Sequence, residues 1–213
     1  RLDPGPPAEA AQKIFCLVGT LAAEGMPLQH IDLGGGMGIR YRNEKAPSVD
    51  EYLGPILALM KGRKETLLIE PGRSLVGNAG VLLSRVEVIK HGEEKNFAVI
   101  DVAMNDLMRP ALYDAWHDIL PLKQANAGAT EQAYEIVGPV CESGDFIGHG
   151  RRLSLQEGDL LAIMSTGAYG MAMSSNYNSR PRAAEVMVDR DQAHLIRQRE
   201  DIAQLYALES TLP

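Results

Sequence analysis

A glutamate and an arginine that could act on a small anionic ligand stand together in the stretch IEPGR, residues 69–73. Glu70 and Arg73 follow a short apolar run, a pattern typical of the strand end where parallel α/β proteins bind ligands. A carboxylate there can hold a proton on a ring nitrogen, and an arginine can bind a phosphate or a carboxylate through two parallel hydrogen bonds. The stretch alone is equally compatible with a salt-bridged strand end.

Three consecutive glycines follow an earlier apolar run in HIDLGGGMGIR, residues 30–40. Glycine lets backbone N–H groups approach an anion closely, so this loop could bind a phosphate. The spacing fits neither the dinucleotide fingerprint, which opens a helix, nor a P-loop, which ends in Lys-Ser or Lys-Thr. A flexible turn at a strand end is the alternative.

Arg109 and Tyr113 stand four residues apart in DVAMNDLMRPALYDAWH, after another strand pattern. If this segment is helical, both side chains can face one anion. An ordinary surface arginine and a half-buried tyrosine are the alternative.

The stretch GPVCESGDFIG, residues 138–148, places Cys141 beside Glu142. The thiol could donate a proton or act as a nucleophile, and the carboxylate could bind an ammonium group. Tyr169, in TGAYGMAMSSNYN, could donate a hydrogen bond to a phosphate. The alternatives are a cysteine that serves as a small buried hydrophobe and an aromatic ring packed in a tight loop. The five histidines lack the spacing of metal ligands, so no metal site is predicted.

The elements that position the first two stretches form a strand–helix–strand pattern. Residues 8–24 are predicted to be a helix, and HIDLGGG and TLLIEPGR contain short apolar strands. Between them, Ser48 and Glu51 form a capping-box pattern at the start of a second helix, which Pro55 should kink or split. Such a unit favours parallel strands covered by helices.

The pattern changes after about residue 78. VLLSRVEVIK and KNFAVIDV predict a β-hairpin, and YEIVGPV, GDLLAIM and RAAEVMV predict further strands. Residues 191–209 are predicted to be a helix. The sequence therefore predicts an α/β region over residues 1–78 and an antiparallel β domain with a C-terminal helix over residues 79–213.

Composition narrows the classes of partner. The net charge of −7 disfavours nucleic acid or an anionic membrane as the main partner. No apolar run approaches the roughly 18 residues of a membrane span. The two cysteines do not make a disulfide framework, which favours a cytoplasmic setting.

Four stretches in this order, HIDLGGG, EPGR, CESGD and AYG, resemble the C-terminal half of the diaminopimelate decarboxylases. These are pyridoxal-phosphate-dependent decarboxylases of the alanine-racemase-like fold type. RPALYDAWH and RPRAAEVMV strengthen the resemblance, although ornithine and arginine decarboxylases share single motifs. It implies the C-terminal remnant of a (β/α)8 barrel followed by an antiparallel β-barrel or β-sandwich domain.

The resemblance also implies pyridoxal 5'-phosphate as the cofactor and a role for each candidate residue around it. Glu70 would keep the pyridine nitrogen protonated, and Arg73 would lie between the phosphate and the substrate carboxylate. Backbone groups of four glycines would hold the phosphate: Gly34, Gly35, Gly36 and Gly72.

For the substrate, the resemblance implies a diamino dicarboxylate with a distal amino-acid head. Arg109 and Tyr113 would bind the distal carboxylate, and Glu142 the distal ammonium group. Cys141 would deliver a proton after CO2 leaves, and Tyr169 would contact phosphate and substrate. The resemblance further implies a homodimer in which the turn around Cys141 reaches the active site of the other subunit.

The implied reaction converts meso-2,6-diaminopimelate to L-lysine and CO2, the last step of lysine biosynthesis. No lysine here stands in a strand-end motif like the family's cofactor-binding lysine. We therefore expect a C-terminal fragment that alone lacks covalent cofactor binding and turnover. Two alternatives remain open: a decarboxylase of a basic amino acid or of carboxynorspermidine, and a non-catalytic regulator with the same fold.

Overall fold

Residues 3, 5–123 and 130–212 are described by a computed structural model of the chain. The chain divides into two units, Arg1–Gly80 and Val81–Pro213. Within the described ranges, no helix combines the length and the apolar character needed to cross a bilayer.

The first unit is built on two short parallel strands and the helices around them. In chain order its elements are α1 Gly5–Ala23, β1 His30–Asp32, α2 Val49–Met60, β2 Thr66–Leu68 and α3 Gly72–Val76. β1 and β2 pair in parallel with Ile31 opposite Leu67. This confirms the predicted strand–helix–strand unit.

The apolar faces of α1 and α2 enclose one side of this pair. The buried cluster consists of Ala11, Phe15, Val18, Ile31, Met37, Tyr52 and Ile56. Burying each large side chain contributes about 1.5–3 kcal/mol relative to leaving it in water. Ile31 of β1 lies in the cluster and Leu67 of β2 packs against it, so the cluster holds both strands in place.

The start of α2 follows its predicted capping box. The Ser48 hydroxyl accepts from the Glu51 N–H at 3.1 Å, and the Glu51 carboxylate accepts from the Ser48 N–H at 2.8 Å. The expected split at Pro55 is wrong, because α2 is continuous to Met60. Proline removes only one backbone hydrogen bond. Tyr52 and Ile56, on either side of Pro55 in the helix, are buried in the cluster and hold the helix together.

The second unit contains a six-stranded sheet. Its strands are β3 Leu82–Lys90, β4 Asn96–Ile100, β5 Ile119–Pro121, β6 Gln132–Val137, β7 Phe146–Leu153 and β8 Leu160–Ile163, with the short helix α4 Arg109–Tyr113 between β4 and β5. The spatial order is β5-β8-β3-β4-β6-β7. The β3–β4 hairpin confirms the prediction, whereas β5 and β7 were not predicted.

The expectation of a purely antiparallel domain is wrong, since β4 and β6 pair in parallel. Parallel neighbours need a long connection, and the chain between them carries α4 and β5. The sheet is nearly closed: a Cβ at Gly148 of β7 would lie 2.9 Å from the Ile119 side chain of β5, the opposite edge strand. The core inside this mixed sheet includes Val86, Ile100, Ile136, Ile147, Leu161 and Ile163.

The predicted helix over residues 191–209 is wrong in its first half. Residues Glu185–Asp189 form β9, which pairs with β10 Gln192–Arg197, and only Ile202–Leu205 is helical, as α5. Arg190 has φ of 56°, which allows the tight turn between these strands. The apolar residues near a seven-residue interval do not exclude a strand, because short segments satisfy both periods.

Candidate active site

The glycine loop, residues 34–36, begins directly after β1. Gly34 and Gly36 have φ of 68° and 111°, backbone conformations that residues with a side chain rarely adopt. The Gly34 N–H donates to the Asp32 carboxylate at 2.7 Å, and the Gly34 carbonyl accepts from the Glu70 N–H at 2.8 Å. The loop is therefore held by β1 on one side and by the segment after β2 on the other.

The middle glycine of this loop has no room for a side chain. A Cβ at Gly35 would lie 2.2 Å from the Glu70 carbonyl oxygen, so two backbone segments are in direct contact there. The Gly35 carbonyl also accepts from the Tyr52 hydroxyl at 3.1 Å. The pattern of glycines thus reflects a close approach of backbones, which a merely flexible turn would not require.

Glu70, Gly72 and Arg73 extend the same edge of the first unit. The Glu70 carbonyl accepts from the Gly72 N–H at 2.8 Å, and Arg73 lies in the first turn of α3. The Glu70 side chain is exposed and that of Arg73 is partly buried. The structure therefore places the glycine loop beside Glu70, with Gly72 and Arg73 at the start of the helix that follows.

A cavity of about 290 Å³ lies between this loop pair and the helices of the first unit. Its lining includes the three glycines of the loop, Tyr52 and Ile69, together with apolar residues of α1. Gly35 and Tyr52, which are joined by a hydrogen bond, both line this cavity.

In the second unit, Arg109 begins α4 and is almost completely buried. Its Nη1 lies 2.9 Å from Nε2 of His117, and its guanidinium carbon lies 6.0 Å from the centre of the Tyr169 ring. Tyr113 ends the same helix, so the helical condition set by the four-residue spacing is met, and its side chain is 64% exposed. Arg109 and Tyr113 thus share a helix but differ in environment.

His117 is fully buried next to Arg109. The sequence assigned no role to this residue, because the histidines show no ligand spacing. Its Nδ1 lies 2.8 Å from the Met164 carbonyl. Burial, together with the neighbouring charges of Arg109 and Arg151, lowers the pKa of His117 to about 4. The ring is therefore neutral near pH 7.

The cysteine loop, residues 138–145, connects β6 to β7. Cys141 and Glu142 are both exposed. The Glu142 carboxylate accepts from the Gly144 N–H at 3.3 Å, the Ser143 hydroxyl at 3.2 Å and the Tyr177 hydroxyl at 3.4 Å. These hydrogen bonds lower the pKa of Glu142, so the carboxylate carries a full negative charge near neutral pH.

Asp145 holds the cysteine loop from inside, a role that the sequence did not indicate. Its carboxylate accepts from the Val140 N–H at 2.8 Å and from the Met104 N–H at 2.7 Å. A Cβ at Gly138 would lie 2.4 Å from this carboxylate, which explains why residue 138 is a glycine. Burial raises the pKa of Asp145 although both N–H groups favour the charged form.

Tyr169 lies in a turn after β8 with φ of 64°, a left-handed conformation that is uncommon for a tyrosine. The next residue must be small, since a Cβ at Gly170 would lie 2.4 Å from the Thr166 carbonyl. The Tyr169 side chain is 40% exposed. The turn therefore presents part of the phenol to solvent and part to Arg109.

No metal-binding group is found in the described ranges: nowhere do three or more His, Cys, Asp or Glu side chains come together as possible ligands. The candidate residues offer separate charges and hydrogen-bonding groups. The first unit offers a constrained loop and a carboxylate, and the second offers a buried cation, an exposed anion and a thiol. Each group is of a type that can bind an ion of opposite charge or accept a hydrogen bond.

The chain is similar to a well-defined group of proteins. A family model described as "Pyridoxal-dependent decarboxylase, C-terminal sheet domain" matches residues 15–167. The diaminopimelate decarboxylases of Vibrio cholerae and Pseudomonas aeruginosa are 54% and 53% identical, each over 98% of this chain and 50% of the relative. The Helicobacter pylori diaminopimelate decarboxylase complexed with L-lysine matches with a TM-score of 0.91 at 39% identity, covering 98% of this chain and 51% of that chain. The chain thus spans about half the length of these relatives.

Proposed function

Because the chain belongs to the pyridoxal-dependent decarboxylase family, we propose that it is the C-terminal part of an enzyme that decarboxylates meso-2,6-diaminopimelate to L-lysine. The observation that carries the proposal is the 54% identity to a diaminopimelate decarboxylase along 98% of the chain. This match extends over nearly the whole chain and therefore over both of its units. We further propose that residues 1–78 form the end of a (β/α)8 barrel.

Pyridoxal phosphate is the proposed cofactor, and the first unit fits its phosphate. The fit rests on the glycine loop, where Gly34 and Gly36 have positive φ and no side chain stands between the backbone and an anion. Backbone groups of Gly34, Gly35, Gly36 and Gly72 would hold the phosphate, with Arg73 beside it. The N–H groups of Gly34 and Gly72, which donate to Asp32 and Glu70 in this structure, would exchange these acceptors for the phosphate. Glu70 would keep the ring nitrogen protonated. When bound, the cofactor supplies the electron sink that decarboxylation needs.

The second unit would recognise the distal head of the substrate. Arg109 carries a permanent positive charge for the distal carboxylate, and Glu142 a negative charge for the distal ammonium group. Tyr113 and Tyr169 would add hydroxyl donors. Polar recognition of this kind can discriminate against analogues that lack the group by about 10⁴-fold.

Cys141 would deliver the proton that replaces CO2. Its thiol is exposed at the tip of the cysteine loop, next to the carboxylate proposed to hold the substrate. Both cysteines are free thiols, which agrees with the cytoplasmic setting that we propose. We also propose a homodimer whose subunits share their active sites, and a cofactor-binding lysine in the part of the relatives that this chain does not match.

The test is decarboxylation by the full-length gene product loaded with pyridoxal phosphate. Release of CO2 and L-lysine from meso-diaminopimelate is expected. An enzyme that acts only on ornithine or arginine would refute diaminopimelate as the substrate. Arg109→Ala should lower kcat/KM for diaminopimelate at least about a hundredfold, because a buried charged contact is lost. Arg152→Ala, which removes an exposed arginine from β7, is the matched control and should leave kcat/KM unchanged.

A further inference from the structure

One buried group of the second unit has no part in the proposed reaction, although it touches a residue that does. His117 lies 2.9 Å from the Arg109 guanidinium through Nε2 and 2.8 Å from the Met164 carbonyl through Nδ1. Both side chains are confined by their surroundings, since His117 is fully buried and Arg109 is only 8% exposed.

These two contacts determine the protonation of the ring. A carbonyl only accepts, so Nδ1 must carry the proton that it donates to Met164. A guanidinium only donates, so Nε2 must be the unprotonated acceptor for Arg109. Both bonds are satisfied together only by a neutral imidazole with its proton on Nδ1. The lowered pKa of His117 agrees with this state.

We infer that His117 is a positioning residue that holds the Arg109 guanidinium in the orientation required for the distal carboxylate of the substrate. This inference rests on the proposed function. A neutral acceptor fixes the guanidinium without cancelling its charge. An aspartate or glutamate in the same place would hold Arg109 equally well, but it would compete with the substrate carboxylate for the same cation.

The residues around His117 preserve its neutral state. The Arg151 guanidinium lies 3.2 Å from the centre of the Trp116 ring, and the Trp116 indole N–H donates to Asp118 at 2.7 Å. Burial disfavours protonation of His117 most strongly, and the positive charges of Arg109 and Arg151 add to it, against the opposing effects of the Met164 carbonyl and Asp118 on the pKa. His117 therefore experiences the charges of two buried arginines, one of which, Arg109, it contacts directly.

Two conservative variants separate positioning from simple packing. His117→Gln places an amide oxygen near the position of Nε2, so the bond to Arg109 can persist. His117→Asn places its amide near Nδ1, so it can still donate to Met164 but cannot reach Arg109. Both are polar and smaller than histidine, so a purely structural role predicts similar losses in both.

The probes are L-lysine, which retains the distal carboxylate of the substrate, and cadaverine, which lacks it. Binding of each to the full-length holoenzyme is measured by calorimetry, and kcat and KM are measured with meso-diaminopimelate. In His117→Asn, the Kd of L-lysine and the KM should rise roughly tenfold or more, as expected for a lost hydrogen bond to a charged group. The Kd of cadaverine and kcat should change less than about twofold, and His117→Gln should recover most of the loss.

Equal weakening of L-lysine and cadaverine, or equal losses in the Asn and Gln variants, would overturn the inference. His149→Asn, which alters an exposed histidine of β7 that contacts Glu135, is the control and should behave as the unmodified enzyme. The two hypotheses fail differently. An unmodified enzyme that does not act on diaminopimelate refutes the proposed function. An enzyme that acts on it, with His117→Asn unimpaired, refutes only the role of His117.

Discussion

The two units hold their candidate residues in place in different ways. In the first unit the loop geometry depends on backbone atoms, with the Glu70 carbonyl placed where a Cβ at Gly35 would stand. In the second unit the candidate side chains are held by other buried side chains, namely Arg109 by His117 and the cysteine loop by Asp145. Backbone sites suit a ligand group that is always the same, and side-chain sites suit one that must be distinguished from its analogues.

The difference also determines how each unit should respond to substitution. A backbone contact has no flexible end that can move aside, so added volume must displace a whole loop. A side-chain network can lose one hydrogen bond and keep its shape, which leaves an unpaired group as the main cost. Substitutions that test these contacts should therefore produce effects of graded size.

Gly35→Ala should have the largest effect. Its Cβ would overlap the Glu70 carbonyl, and the loop after β2 must move to accommodate it. We expect a loss of about 3 kcal/mol in the stability of the first unit and at least about a tenfold loss of pyridoxal phosphate affinity. Urea denaturation and fluorescence titration of the full-length protein measure both.

The matched control is Gly54→Ala in α2, where an added Cβ meets nothing within 4 Å. Alanine favours a helix over glycine, so this variant should be more stable by up to about 1 kcal/mol. If the two alanine variants were equally stable, backbone contact would not be what distinguishes the first unit.

Stability should also depend on pH through the buried His117. Its pKa is about 4 in the folded protein and 6.5 without perturbation, so between these values the unfolded chain binds the proton and the folded one does not. Stability from this group is fully present above pH 6.5 and falls as pH is lowered towards 4, by up to about 3 kcal/mol.

Subtracting the pH profile of His117→Gln from that of the unmodified protein isolates this contribution. The subtraction is needed because burial raises the pKa of Asp106 and Asp145, whose contributions decrease as pH rises. Unfolding midpoints between pH 4 and pH 7 provide the measurement. A difference profile that is flat over this range would contradict a buried neutral imidazole.

The two units also differ in how far the sequence predicted them. The glycine loop, Glu70 and the capping box of α2 are local patterns, and the structure places them on neighbouring elements. The partners of His117 and Asp145 are distant in the chain: Met164 lies 47 residues from His117, and Met104 lies 41 residues from Asp145. No local pattern encodes such pairs, so the residues that hold Arg109 and the cysteine loop were missed.

The errors in the predicted fold have a similar origin. Whether β4 and β6 run parallel depends on the path of the connection between them, which periodicity does not contain. β7 includes two glycines and three basic residues, so its sequence lacks a clear alternation, yet pairing with β6 makes it a strand. In both cases the tertiary partner determines the outcome.

Asp145→Asn tests the side-chain support of the cysteine loop and should have an intermediate effect. The amide can accept from only one of the Val140 and Met104 N–H groups, and its own NH2 would face the other. We expect a loss of about 2 kcal/mol in stability and faster amide exchange in residues 138–145. Asp189→Asn, an exposed substitution at the end of β9, should change neither.

Ser48→Ala should have the smallest effect, because it removes a single exposed cap from α2 while the buried Tyr52 and Ile56 still hold the helix. The expected loss is about 1 kcal/mol, measured as faster amide exchange in the first turn of α2. Ser48→Asp, which keeps an acceptor for the Glu51 N–H, should preserve most of the protection. A loss in Ser48→Ala as large as in Gly35→Ala would mean that the first unit depends on local capping as much as on the contact between its loops.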